Sequence, residues 1–406
     1  MKVAVKDFPV EVLKSPSEIV NLLIITNAGS CDEDADSYGV AHFLEHMFFK
    51  GTTKRHYKDI NKISSRLGNI NAFTSQRKTC YTLTFLKDDL EEAVELLCEM
   101  VFEPAFPEDE FATEKGVIVE EWVSGQDNPS SFHYNSSFEH LMGSQIGHPV
   151  IGTKESILDM TTEKIRRFKD KYYNAGNMLI SICGDVDENQ FYSILDKHLP
   201  QTESILNVNN RSPTWDFGTK EFKHPAKQAI VTLMSQGQNI NEKVGNKFIQ
   251  NIFMNAFGGG MHSMLFDRIR EELGLCYAVG SGDIAYREYG LNYMYCYLDE
   301  ANISLCINEM QLLLDSVKKN GIKQDIIDVS KKNYLFQVGK SSETTEKRNS
   351  STQLMFDLDS NFDEYIDFAH RKKLVESITN DDIVHYANDV FHENNPIKLT
   401  TLTQIK

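Results

Sequence analysis

Apolar and polar positions alternate near the start of the chain, at Val3-Ala4-Val5 and again at Ile19-Val20-Asn21-Leu22-Leu23-Ile24-Ile25. That pattern predicts strands, and the polar run 28–34 predicts the turn that follows them. From residue 37 to 49 the apolar period becomes helical, and 69–75 and 80–86 read as a pair of strands. Leu90, Ala93, Val94, Leu97, Met100 and Val101 fall at helical spacing within 88–101. Pro104 and Pro107 stop that helix, and a new one is expected over 108–125. Residues 161–173 read as a helix and 178–184 as a short apolar strand.

The stretch 201–218 is polar and carries Asn209-Asn210-Arg211-Ser212-Pro213, which suits a linker. Beyond it the order of elements repeats: a strand at 229–234, a helix at 243–257, a strand at 289–298, and helices at 304–320, 323–338 and 381–391. The expectation is an α+β protein of two tandem domains, 1–200 and 219–406, of similar α/β-roll topology. Each would have a mainly antiparallel sheet packed with helices.

Charge narrows the functions. The chain has 59 acidic and 42 basic residues, a net charge of −17, so nucleic acid is not an expected partner. Acidity of this kind serves solubility, or an acidic interior that draws in basic peptides. No apolar run approaches the ~20 residues needed to span a bilayer, so no membrane insertion is expected. The seven cysteines, Cys31, Cys80, Cys98, Cys183, Cys276, Cys296 and Cys306, contain no CxxC pair and read as reduced thiols. With no hydrophobic signal core or transit pattern at the N-terminus, a cytoplasmic location is expected.

The candidate chemistry is concentrated in HFLEHMFFKGT. On a helix His42 and His46 share one face, and Glu45 borders it. Two imidazoles and one carboxylate are a usual set of catalytic zinc ligands, with a coordination position left for water. H-x-x-E-H is the inverted zincin signature. A third ligand must come from elsewhere. EKGVIVEEW offers Glu114 and Glu121, which project to one face of a helix, and Glu120, about 100° round from Glu121. These acids also suit a solvated helix surface, and spacing alone does not choose among them.

HFLEHMFFKGT, NAFTS and EKGVIVEEW together resemble the pitrilysin family of inverted zincins. The chain length is similar to that of the short-chain subfamily, which includes the mitochondrial processing peptidases. The resemblance implies one zinc ion per chain, held by His42, His46 and Glu121. It makes Glu45 the general base and Glu114 a residue that orients the site. It also implies that Asn71, Ala72, Phe73 and Thr74 form an edge strand that binds substrate by strand addition.

In the second half, the segment from Phe257 to Tyr277 begins with Gly258-Gly259-Gly260. A phosphate cradle is rejected, because no Lys-Ser/Thr and no GxGxxG follows. His262 has no partner ligand near it in sequence and reads as an ordinary surface or core histidine. The segment resembles the family's stretch in which an Arg and a Tyr bind substrate near the scissile bond, which maps onto Arg270 and Tyr277. The reading is a zinc metalloendopeptidase that hydrolyses peptides or unfolded segments inside a closed chamber. Because the longer family members have four such domains, a homodimer is expected. The alternative is a non-catalytic structural or partner subunit of a larger processing or respiratory complex.

Overall fold

The computed structural model describes residues 3–205, 212–239, 244–286, 288–341, 343–350, 368–392 and 395–405. The chain divides into two compact units. Among the described residues, the first lies within Met1–Gln126, Ser144–Arg211 and Ser341–Asp357, and the second within Asp127–Gly143, Ser212–Lys340 and Leu358–Lys406. No helix among them is long and apolar enough to cross a membrane.

The first unit is built on six strands: β1 (Val3–Val5), β2 (Phe8–Lys14), β3 (Ile19–Thr26), β4 (Gly68–Thr74), β5 (Thr79–Leu86) and β6 (Met178–Gly184). Their order across the sheet is β1-β2-β6-β3-β5-β4. Every pairing is antiparallel except β2 with β6. One face of β3 presents Val20, Leu22 and Ile24 to the helices, where they are buried with Phe43, Leu44, Val94, Leu97 and Ile165. The two-residue period follows from strand geometry.

The second unit has five strands: β7 (Lys220–His224), β8 (Ala229–Gly237), β9 (Cys276–Ala285), β10 (Gly290–Leu298) and β11 (Lys398–Gln404). Their order is β7-β11-β8-β10-β9, with only β7 and β11 parallel. This is the order of the first sheet without β1, so the repeat expected from the sequence is a repeat of topology. In both units the strand pair β4–β5 or β9–β10 ends at a free edge, formed by β4 and β9.

Each unit takes segments from both sides of the polar stretch 201–218, of which 206–211 lies outside the described residues. Helix Pro129–Met142 belongs to the second unit, where Ser137 Oγ donates to Thr400 Oγ1 at 2.9 Å and His133 Nε2 lies 3.0 Å from Thr232 Oγ1. In the first unit Asn349 donates to Asn21 Oδ1 at 2.8 Å and to the Ser181 carbonyl at 3.1 Å. The buried polar residues Asn21 of β3, Ser181 of β6, Thr232 of β8 and Thr400 of β11 are therefore bonded rather than left bare, as burial requires.

Candidate metal centre

The helix bearing the histidines is shorter than its period suggests, Val40–Met47 rather than 37–49. Gly39 begins it at φ 89°, and a Cβ there would sit 2.4 Å from the Ile151 carbonyl oxygen. Only glycine fits such a left-handed, crowded position. Val40, Ala41, Phe43, Leu44 and Met47 are buried. That packing sets the rotation of the helix and leaves His42 and His46 on the opposite side, ring centroids 4.6 Å apart.

The long helix Glu108–Asp127 supplies the acids. Glu121 Oε1 lies 3.7 Å from His42 Nε2, and its Oε2 lies 3.6 Å from His46 Nε2. All three residues offer a ligand atom within 4.8 Å of the other two, and no other such group of His, Cys, Asp or Glu occurs among the described residues. Glu120 is exposed and Glu121 is the residue that turns toward the histidines. The two His–Glu121 distances are too long for hydrogen bonds. Donors about 2.0–2.1 Å from a tetrahedral zinc stand roughly 3.3 Å from one another. The donor set therefore fits a zinc ion between its members better than it fits direct bonding.

The surroundings set the protonation of the histidines. Burial, helped by the nearby His46, pulls the His42 pKa down to about 3, which keeps the ring neutral and its lone pair available. Its Nδ1 is buried and has no partner among the described residues. His46 is half-buried, and the hydrogen bond and charge of Glu114 outweigh that burial and raise its pKa. His46 Nδ1 lies 2.7 Å from Glu114 Oε1, and Glu114 Oε2 meets the Lys50 ammonium. Glu114 is 3% exposed, and its bonds to His46 and Lys50 overcome burial to hold its pKa low.

Glu45 is buried beside these residues. Burial pushes its pKa up, and the Thr74 hydroxyl, donating to Oε2 at 2.5 Å, pulls it back. Thr74 is the last residue of β4, so the free edge strand touches the candidate base directly. Ser75 donates its N–H to the Lys78 carbonyl at 2.8 Å, across the turn between β4 and β5. By alternation, the backbone groups of Asn71 and Phe73 face β5, while those of Ile70, Ala72 and Thr74 face the open edge. The side chains of Asn71 and Phe73 are exposed, and Asn71 Oδ1 accepts from the Ala72 N–H at 2.9 Å.

Arg270 and Tyr277 lie together in the second unit. Arg270 is on a π-helix, Phe266–Glu272. Tyr297 pairs with Ala278 and Leu298 with Cys276, so Tyr277 is the extra residue of a β-bulge in edge strand β9. Bulges re-aim side chains, and the Tyr277 side chain is 76% exposed. The Arg270 guanidinium lies 4.6 Å from the Phe266 ring centroid and 5.4 Å from that of Tyr277. His262 is exposed and joins no ligand group. The sequence pattern assigns no role to Lys50, which lies four residues beyond His46.

Comparisons with known proteins give the chain's family and fold. Residues 10–153 match the family model described as insulinase, peptidase family M16, and residues 159–334 match the peptidase M16 inactive domain. The chain is 30% identical to an uncharacterized zinc protease of Rickettsia bellii, over 92% of this chain and 90% of that protein. It is 28% identical to an uncharacterized zinc protease of Bacillus subtilis, over 83% of each. A protease from Helicobacter pylori has the same fold, with a TM-score of 0.89 at 21% identity over 100% of this chain and 99% of that one.

Proposed function

The chain belongs to peptidase family M16, and we propose that it is a zinc-dependent endopeptidase acting on peptides or unfolded segments. The observation that carries this reading is the convergence of His42, His46 and Glu121 within 4.8 Å, with Glu45 beside them. His42 and His46 through Nε2, and Glu121 through its carboxylate, are the residues that would hold zinc. Zinc bound there acidifies water and polarises a carbonyl oxygen.

The chain's own groups do the rest. Thr74 occupies Glu45 Oε2, which leaves Oε1 to take the proton of the attacking water and pass it to the leaving amine. Glu114 accepts from His46 Nδ1 and keeps Nε2 aimed at Glu121. The backbone groups of Ile70 and Thr74 and the Ala72 carbonyl, which face the open edge, bind an extended peptide as an added strand, so affinity does not depend on one side chain. Because Thr74 both ends this strand and holds Glu45, a peptide on the edge is placed against the base.

Arg270 and Tyr277 are assigned to the substrate backbone, with the Tyr hydroxyl donating to the carbonyl oxygen as negative charge develops on it. Two copies of the chain are proposed to pair about a two-fold axis, each site drawing Arg270 and Tyr277 from the other copy. The second half, whose described residues hold no ligand cluster, would then serve binding rather than metal chemistry. The test is metal analysis of the purified protein together with cleavage of a mixed peptide library. One zinc per chain and cleavage that a chelator stops are expected. Full cleavage by metal-free protein would overturn the proposal.

A further inference from the structure

The metal helix is capped from outside by a buried carboxylate. Gly39 has no side chain with which to cap the helix it begins. Glu33 takes that place: its Oε2 accepts from the Gly39 N–H at 2.7 Å, and its Oε1 accepts from the Ala41 N–H at 2.8 Å. These are donors that a helix leaves unsatisfied at its N-terminus. Glu33 is 0% exposed, an uncommon state for a carboxylate.

His148 backs it, itself 1% exposed, with Nε2 2.9 Å from Glu33 Oε2. The other ring nitrogen, Nδ1, lies 2.7 Å from the Ser144 carbonyl oxygen. A carbonyl can only accept, so Nδ1 carries a hydrogen, and one proton lies between Nε2 and Oε2. The Tyr38 ring stacks on the imidazole with centroids 3.9 Å apart, which fixes its plane. Burial pushes the Glu33 pKa up, and the bonds from His148, Ala41 and Gly39 work against that rise.

This arrangement bears on the metal centre because the helix has only eight residues. A helix that short does not hold its own ends, so its first turn keeps its shape only through tertiary contacts. His42 lies in that first turn, directly after Ala41. We propose that Glu33 and His148 are a positioning pair for the metal centre, fixing the first turn of the helix and through it His42 relative to His46 and Glu121. The proposal rests on the reading of those three residues as zinc ligands. It differs from a purely structural cap in one respect: loss of the pair loosens the ligand-bearing turn far more than it loosens the rest of the first unit.

The test uses the full chain as wild type, Glu33→Gln and His148→Gln. Amide hydrogen exchange is followed in the metal-free protein, and zinc affinity is measured by competition with a chromogenic chelator. Glu33→Gln keeps the shape and removes the charge. It should speed exchange at Gly39 and Ala41 at least about tenfold, with β3 and β6 unchanged, and weaken zinc about 10–100-fold, the usual range for a residue that orients a ligand. His148→Gln leaves Glu33 in place and should show the same pattern more weakly. It keeps the test decisive if Glu33→Gln does not fold. Folded variants with wild-type exchange at Gly39 and Ala41 and wild-type zinc affinity would overturn the proposal, as would a uniform rise in exchange across the whole unit. A wild-type chain that binds no zinc would overturn the metal reading instead, and exchange at the two amides would still decide whether the pair fixes the turn.

Discussion

His46 Nδ1 lies 2.7 Å from Glu114 Oε1, while the other oxygen of the same carboxylate meets the Lys50 ammonium. The acid that the sequence placed on one face with Glu121 thus bonds His46 and stands outside the group formed by His42, His46 and Glu121. On the proposed zinc reading, it fixes the tautomer of His46 so that Nε2 is the atom left for the ion.

Removing that hold should cost affinity before it costs fold. Glu114→Ala is expected to weaken zinc about 10–100-fold, and Lys50→Met, which leaves the carboxylate in place, by less. Isothermal titration of the metal-free proteins measures both. Equal affinity for wild type and Glu114→Ala would mean that the bond to His46 does not orient the ligand.

Much of this was open to reading because the metal helix and the long acidic helix encode their geometry locally. The spacing of His42, Glu45 and His46 is a helix period, and so is that of Glu114 and Glu121. Choosing Glu121 over Glu120 needed the family resemblance, since both suit a solvated helix. Strands β2, β7, β9 and β11 were not anticipated. β9 carries Gly280 and Gly282, which lower strand propensity, and it forms because the Tyr295 and Tyr293 rings lie against those glycines from β10. Helix Pro129–Met142 and Asn349 were assigned to no role, because their partners, Thr400 and Ser181, are far away in sequence. The Glu33–His148 bond spans 115 positions and is hidden for the same reason.

A pH dependence follows from His133, which is 3% exposed. Burial lowers its pKa from 6.5 to about 4. Its Nδ1 has no partner among the described residues, so a second proton is disfavoured in the fold. The unfolded chain binds that proton more readily, so the stability contribution is whole above pH 6.5 and is lost as pH falls toward 4. Between pH 7 and 5 the loss is about 2 kcal/mol. His133→Gln should show a smaller loss over that range, read from Trp215 fluorescence in urea with Trp122 replaced by Phe. Identical pH dependence in the two proteins would contradict the assignment.

The proposed two-fold pairing makes a mixing prediction. Glu45→Gln and Arg270→Ala should each be nearly inactive alone. After subunit exchange about half the dimers are mixed, and one site in each mixed dimer is whole, so roughly a quarter of all sites should recover. Absence of rescue, with exchange confirmed by mass spectrometry, would refute the shared site and leave the metal assignment standing.

The central claim is that His42, His46 and Glu121 hold zinc while Glu45 moves the proton. It is tested most directly by measuring bound zinc and peptide hydrolysis on the same samples of wild type, Glu45→Gln and Glu121→Gln. The account predicts that Glu45→Gln retains one zinc per chain and hydrolyses peptide at least about 10³-fold more slowly, since its amide cannot accept the water's proton, while Glu121→Gln loses the metal. A Glu45→Gln protein that hydrolyses peptide at the wild-type rate, or a Glu121→Gln protein that binds zinc as tightly as wild type, would contradict it.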